Sequence, residues 1–122
     1  MTNNKIKLVN MTSHDQKNYL QQFEEAGFEI ATKPLGFNVP TDMTFQDVKE
    51  KVASQLVAEE KNGFNFDTDD FAFLLGGLTS STIAAYQVAE VNGWDCYEVV
   101  TERERDENGN FVFNFKGVRK LV

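Results

Sequence analysis

The stretch "FAFLLGGLTSSTIAAYQVAEV", residues 71–91, constrains the fold of this chain more than any other. Its first five residues are apolar without alternation. A strand with one wet face alternates with a period of two, so an unbroken run predicts a strand buried on both faces, in the middle of a parallel sheet. Parallel neighbours need crossover connections, and helices have to cover both faces of such a sheet. Gly76 and Gly77 then supply a tight turn. The alanine-rich segment from Thr82 to Asn92-Gly93 predicts a helix packed closely on the sheet, with Ser80 or Ser81 as its expected cap.

The flanking sequence repeats the alternation. "IKLVN" from Ile6 predicts a strand, and Ser13 with Gln16 forms an S-x-x-Q capping box ahead of Tyr19, Leu20 and Phe23 at helical spacing, closed by Gly27. "FEIATKPL" predicts a second strand, which Pro34 stops or pushes to an edge. Thr44 and Asp47 form another capping box, with Met43 and Val48 as a hydrophobic staple, and Phe45, Val48, Val52 and Leu56 continue a stripe as far as Gly63. Residues 62–70 read as a loop. At the C-terminal end, "DCYEVVTERER" and "NFVFNFKGV" flank Asp106-Glu107-Asn108-Gly109, a hairpin signal, and Phe111, Phe113 and Phe115 share one face that is expected to be core. The fold class is therefore α/β: one domain over residues 1–122, a Rossmann-like open, mainly parallel sheet with helices on both faces and a C-terminal antiparallel hairpin.

Bulk properties narrow the function. At 122 residues, with 41% hydrophobic residues and eleven phenylalanines, the chain has the material for one folded core. No segment approaches the length of a membrane span, so no membrane contact is expected and a cytoplasmic location follows. A net charge of −7 argues against long nucleic acids as partners. The charge is uneven: residues 1–92 hold 7 basic and 13 acidic side chains, whereas residues 93–122 hold 5 and 6. A small anionic ligand near the C-terminal part is compatible with that balance. One cysteine and one histidine exclude an internal disulfide and a Cys/His metal cluster, and neither metal nor cofactor is expected. Cys96 reads as a buried apolar residue.

In an open parallel sheet, ligands bind outside the carboxyl ends of the strands. Two loops meet that description. "NMTSHD" offers Asn10, Thr12, Ser13 and His14, and "GGLTSST" offers Gly76, Gly77, Thr79 and Ser80, followed by Ser81 and Thr82. If their strands are neighbours, hydroxyls and backbone N–H groups converge as an anion site. The glycine pattern is neither the dinucleotide fingerprint nor a P-loop. His14 is the one side chain of a type that titrates near neutral pH, and both a proton-transfer role and a plain first-turn histidine fit it. Arg103 and Arg105 share one face of their strand; Arg103 is a candidate phosphate contact, the plain alternative being a solvated edge hairpin.

The ordered set "KLVNMTSHD", "FLLGGLTSST" and "TERERDENGNFVFNFKGVRKL" resembles small proteins with CRISPR-associated Rossmann-fold (CARF) domains. In the glycine loop, Leu78 and Ser80 stand where many members carry a basic residue. The resemblance implies a homodimer that binds cyclic oligoadenylate across its two-fold axis, as a sensor or a ring nuclease of a type III CRISPR system. Ring cleavage would be metal-independent, with the ring's own 2′-hydroxyl as nucleophile and the protein supplying position and charge stabilisation. A reading of a different class stays open: a non-enzymatic interaction or accessory protein of a phage or mobile element, using the apolar helix and the phenylalanine strand as its interface.

Overall fold

The computed structural model of the chain describes residues 5–67, 70–77 and 79–121. In chain order these form β1 (Ile6–Asn10), a 3-10 turn (Lys17–Tyr19) leading into α1 (Leu20–Glu25), β2 (Phe28–Ile30), α2 (Phe45–Lys61), β3 (Phe71–Leu74), α3 (Thr79–Asn92), β4 (Cys96–Arg105) and β5 (Phe111–Leu121). The strands make one sheet in the order β2-β1-β3-β4-β5. Its first four strands run parallel, and β5 pairs antiparallel with β4. The architecture is the Rossmann-like open α/β sheet that the pattern predicts, with the unalternating run at its centre and the three-residue β2 at an edge.

The burial of successive residues follows from that position. Leu8 and Val9 on β1, and Phe73 and Leu74 on β3, are all 0% exposed although neighbours in sequence point to opposite faces. Val9, Phe73 and Leu75 pack with Val48, Val52 and Leu56 of α2 and with Ala84, Ala85 and Ala89 of α3. The small alanine side chains let α3 lie close to the sheet. On the other face, Leu8, Ala72 and Leu74 cluster with Phe23 of α1. Helix α2 starts where the sequence says. Thr44 Oγ1 accepts a bond of 3.1 Å from the Asp47 N–H, while Asp47 Oδ2 accepts one of 3.1 Å from the Thr44 N–H, a complete capping box. Val48, Val52 and Leu56 are buried along its inner stripe, which Glu59 extends, whereas Phe45 is exposed.

Three local expectations are corrected. Ser13 and Gln16 do not cap α1: Gln16 has left-handed backbone (φ 62°), no side-chain cap bond forms there or at Tyr19, and the helix begins at Leu20. The loop's side chains are organised by Asn10 instead, as described below. Helix α3 begins at Thr79, so Ser80, Ser81 and Thr82 lie within it and are not its caps; Leu78 and residues 68–69 lie outside the described residues. The phenylalanine face is core at only one end. Phe115 packs on Tyr19 and Phe23 with ring centroids 5.4 and 5.3 Å apart, but Phe111 and Phe113 are 51% and 61% exposed.

The reason is the reach of the hairpin. β4 pairs with β3 only through Cys96 and Tyr97, after which β4 and β5 continue past the carboxyl edge of the parallel strands with each other as partners. The register shifts between Val100 and Thr101, opposite Lys116. Such an extra residue bends a strand pair and increases its twist, here at the point where the hairpin leaves the sheet. Its tip is a five-residue loop in place of a two-residue turn. Asp106 Oδ1 accepts from the N–H groups of Asn108 and Asn110, each at 2.9 Å, and Gly109 takes the left-handed φ of 80°.

Candidate functional site

The chain leaves β1 toward α1 on one face of the sheet and leaves β3 toward α3 on the other. β1 and β3 are adjacent, with Asn10 beside Leu74, and the Met11 N–H donates to the Leu74 carbonyl at 3.0 Å. Loops that diverge from neighbouring strands leave a crevice between them, the topological switch point at which open α/β sheets hold ligands. The fold thus brings together the two loops singled out in the sequence.

The first loop is shaped by a buried polar network. Asn10 is 0% exposed. Its Oδ1 accepts from the Thr12 N–H at 3.0 Å and from the Thr12 hydroxyl at 2.6 Å, and its Nδ2 donates to the His14 carbonyl at 2.6 Å. Gln16 Nε2 donates to Thr12 Oγ1 at 3.2 Å, which fits the left-handed turn at Gln16. Asn10 and Thr12 therefore brace the loop from beneath, and Ser13 and His14 carry its exposed surface.

A third segment, absent from the sequence-predicted site, lies against this loop. The Leu35 and Gly36 N–H groups donate to the Asn10 and Thr12 carbonyls, both at 2.9 Å. Any side chain at Gly36 would meet backbone, since its Cβ would lie 2.6 Å from the Ser13 nitrogen and 2.6 Å from the Thr12 carbonyl carbon. The available signal is a glycine between Leu35 and Phe37, two residues after Pro34; β2 itself ends at Ile30, short of the proline expected to stop it.

Across the crevice, Gly76 is half-buried and Gly77 is exposed with φ 105°. Thr79 is exposed and Ser80 half-buried on the first turn of α3, while Ser81 is buried. Between the loops is a recess of about 30 Å³ lined by Ser13, Gly36, Asn38, Gly76, Gly77 and Ser81. It has room for roughly one water or a single phosphate oxygen, not for a base. Thr79 and Ser80 do not line it.

The ligand-sized space is next to it. A cleft of about 660 Å³ separates the β1–α1 loop, with Ser13, His14, Lys17 and Asn18, from Thr101 and Phe113 of the overhanging hairpin. That volume falls in the range of small-molecule sites. Ser13 belongs to both cavities, and the Tyr19 hydroxyl donates to the Phe113 carbonyl at 3.4 Å, tying loop to hairpin. Arg103 lines neither space; its guanidinium carbon lies 4.3 Å from the centre of the Phe111 ring, with that of Arg105 at 4.7 Å. Lys17, Asn18 and Phe113 join the site only because the hairpin outruns the sheet, which no local pattern announces.

Cys96 is buried, and desolvation, helped by the neighbouring Asp95 charge, pushes its thiol up to about 11. It is a packing residue. A separate hollow of about 520 Å³, lined by Tyr86, Trp94, Asp95 and Lys120, lies at the opposite end of the sheet, where parallel strands begin and ligands are not expected.

Fold and crevice together define a class: an open α/β sheet with a polar cleft at its switch point. No protein-family model matches the chain, and no curated protein matches it in sequence. Among the described residues, no helix is long and apolar enough to cross a membrane.

Proposed function

We propose that this protein is a nucleotide-binding module that takes a small anionic nucleotide over the carboxyl edge of its sheet. Cyclic oligoadenylate is the ligand to test first, and the role is that of a cytoplasmic sensor or ring nuclease in a type III CRISPR system. The observation that carries the reading is the meeting of the Ser13 loop and the Gly76-Gly77 loop beside the 660 Å³ cleft. Hydroxyls and N–H groups there suit phosphate oxygens, and the cleft suits a base. The chain acts as a homodimer, because a recess of about 30 Å³ in one protomer cannot enclose a ring of nucleotides, whereas two such edges about a two-fold axis offer a surface of matching size. The net charge of −7 keeps long nucleic acids away.

Ring cleavage on this edge needs no metal. A 2′-oxygen attacks the adjacent phosphorus, the bond from phosphorus to the 5′-oxygen breaks, and a 2′,3′-cyclic phosphate and a 5′-hydroxyl result. The 2′ proton passes to water, and the departing oxygen takes one up. The protein's part is to hold the 2′-oxygen in line and to place donors such as Ser13 and the loop N–H groups on the phosphate.

Calorimetric titration with cyclic tetra- and hexa-adenylate tests the reading, with thermal melts alongside. Wild type should bind one of them. Gly77→Val, which forces a β-branched residue into a left-handed backbone at φ 105°, should lose that binding, and Ser13→Ala, which removes the hydroxyl shared by recess and cleft, should weaken it. The second reading, a non-enzymatic interaction module, is favoured by the exposure of Phe111 and Phe113. It prevails if wild type binds no adenylate.

A further inference from the structure

We infer that the face of the β4–β5 hairpin carrying Phe113 and Arg103 is a stacking and anion-binding subsite for one base and one phosphate of a nucleotide held in the 660 Å³ cleft. The inference rests on the nucleotide reading above and assigns it a second wall. Register places Arg103 opposite Phe113 and Arg105 opposite Phe111, so these four side chains share one face of the ribbon with Thr101 and Phe115. That face is the one turned toward α1, because Phe115 packs on Tyr19 and Phe23 and because Thr101 and Phe113 line the cleft.

Charge separates the two faces. On the other side, Glu102 and Glu104 are met by Lys116 at 3.6 and 3.3 Å, and Asn114 also donates to Glu104. The cationic face has no such compensation: among the described residues, neither Arg103 nor Arg105 has a carboxylate within 4.0 Å or a hydrogen-bond acceptor. Both lie over the Phe111 ring at cation–π distance. In a chain of net charge −7, this is a local cationic edge beside an aromatic ring that is 61% exposed. Across the cleft, Lys17 and Asp15 line the opposite wall together, so the uncompensated positive charge lies on the hairpin side. An exposed ring accepts a base of any sequence on its face, and guanidinium groups pair with phosphate oxygens. A nucleotide joins both properties in one molecule.

The test titrates wild type, Phe113→Ala, Arg103→Ala and Gly77→Val with cyclic tetra- and hexa-adenylate. A Phe113→Trp variant supplies a fluorescent reporter, and inorganic tripolyphosphate serves as a base-free control. Phe113→Ala should weaken binding about tenfold with an unchanged melt, since the side chain is largely in solvent. Arg103→Ala should weaken binding and flatten its salt dependence. The tryptophan at position 113 should be quenched by the adenylate and not by tripolyphosphate. If wild type binds, Gly77→Val does not, and Phe113→Ala and Arg103→Ala bind like wild type without quenching at position 113, the subsite is wrong and the nucleotide reading stands. If wild type binds none of the ligands, both fall together.

Discussion

Gly36 and Ser13 touch through their backbones. A Cβ built at Gly36 lies 2.6 Å from the Ser13 nitrogen, closer than any real side-chain carbon comes to a main-chain atom, and the same residue donates its N–H to the Thr12 carbonyl at 2.9 Å. Space at Gly36 therefore sets the height of the Ser13 loop above the sheet. Gly36→Ala has to push backbone from backbone, which should cost about 1–3 kcal/mol and displace Ser13 from the recess. Urea denaturation reads the first effect and adenylate titration the second. An alanine protein as stable as wild type would mean that the two segments separate freely.

Asn10 is braced by three bonds within its own loop, so its contribution is internal order. In Asn10→Ala the Thr12 N–H loses its acceptor in a buried place, a loss of about 1–3 kcal/mol. Asn10→Asp retains the acceptor but gives up the donor to the His14 carbonyl and buries a charge, so it should be no more stable than the alanine variant. Equilibrium unfolding of both variants checks the order. Stability near wild type for either would show that Thr12 and Gln16 hold the loop alone.

The same pair of residues marks where the sequence was readable. Order of elements, the central strand, the edge strand and the Thr44–Asp47 cap were all legible, because each depends on local periodicity or on a cap spanning three residues. The Ser13–Gln16 box had an equally good local signal and did not form. Asn10, three residues before Ser13, competes for the same backbone groups through a side chain whose burial depends on the whole sheet. Gly36 entered the site through a tertiary approach, and Phe113 through the length by which a hairpin exceeds its neighbour. Neither distance is encoded in any short window.

Cys96 ties stability to alkaline pH. Its thiol is pushed up to about 11 by burial and by Asp95, so the folded protein keeps the proton after the unfolded chain has lost it. The contribution is complete below the ordinary thiol range and is lost as pH rises from that range through about 11. Denaturation midpoints followed from neutral pH upward should fall more steeply for wild type than for Cys96→Ala, and a thiol reagent should react slowly with the native protein. Equal slopes, or rapid labelling in the absence of denaturant, would contradict the burial of this thiol.

The root and the tip of the hairpin should respond differently to the same substitution. Phe115 is half-buried, with its ring 5.4 Å from Tyr19 and 5.3 Å from Phe23, so Phe115→Ala opens a hole between α1 and β5. Partial burial scales the cost below that of a fully enclosed ring, to about 2 kcal/mol. Phe113, two residues away on the same face, is 61% exposed, and Phe113→Ala should change stability by no more than about 0.5 kcal/mol. Because Phe115 also holds the hairpin against the 3-10 turn that carries Tyr19 and against α1, its loss should loosen the wall of the cleft as well. Amide exchange should then rise along residues 101–115 in Phe115→Ala and stay unchanged in Phe113→Ala. Equal destabilisation by the two substitutions would place the hairpin tip in a packed environment and remove the open cleft on which the proposed ligand binding depends.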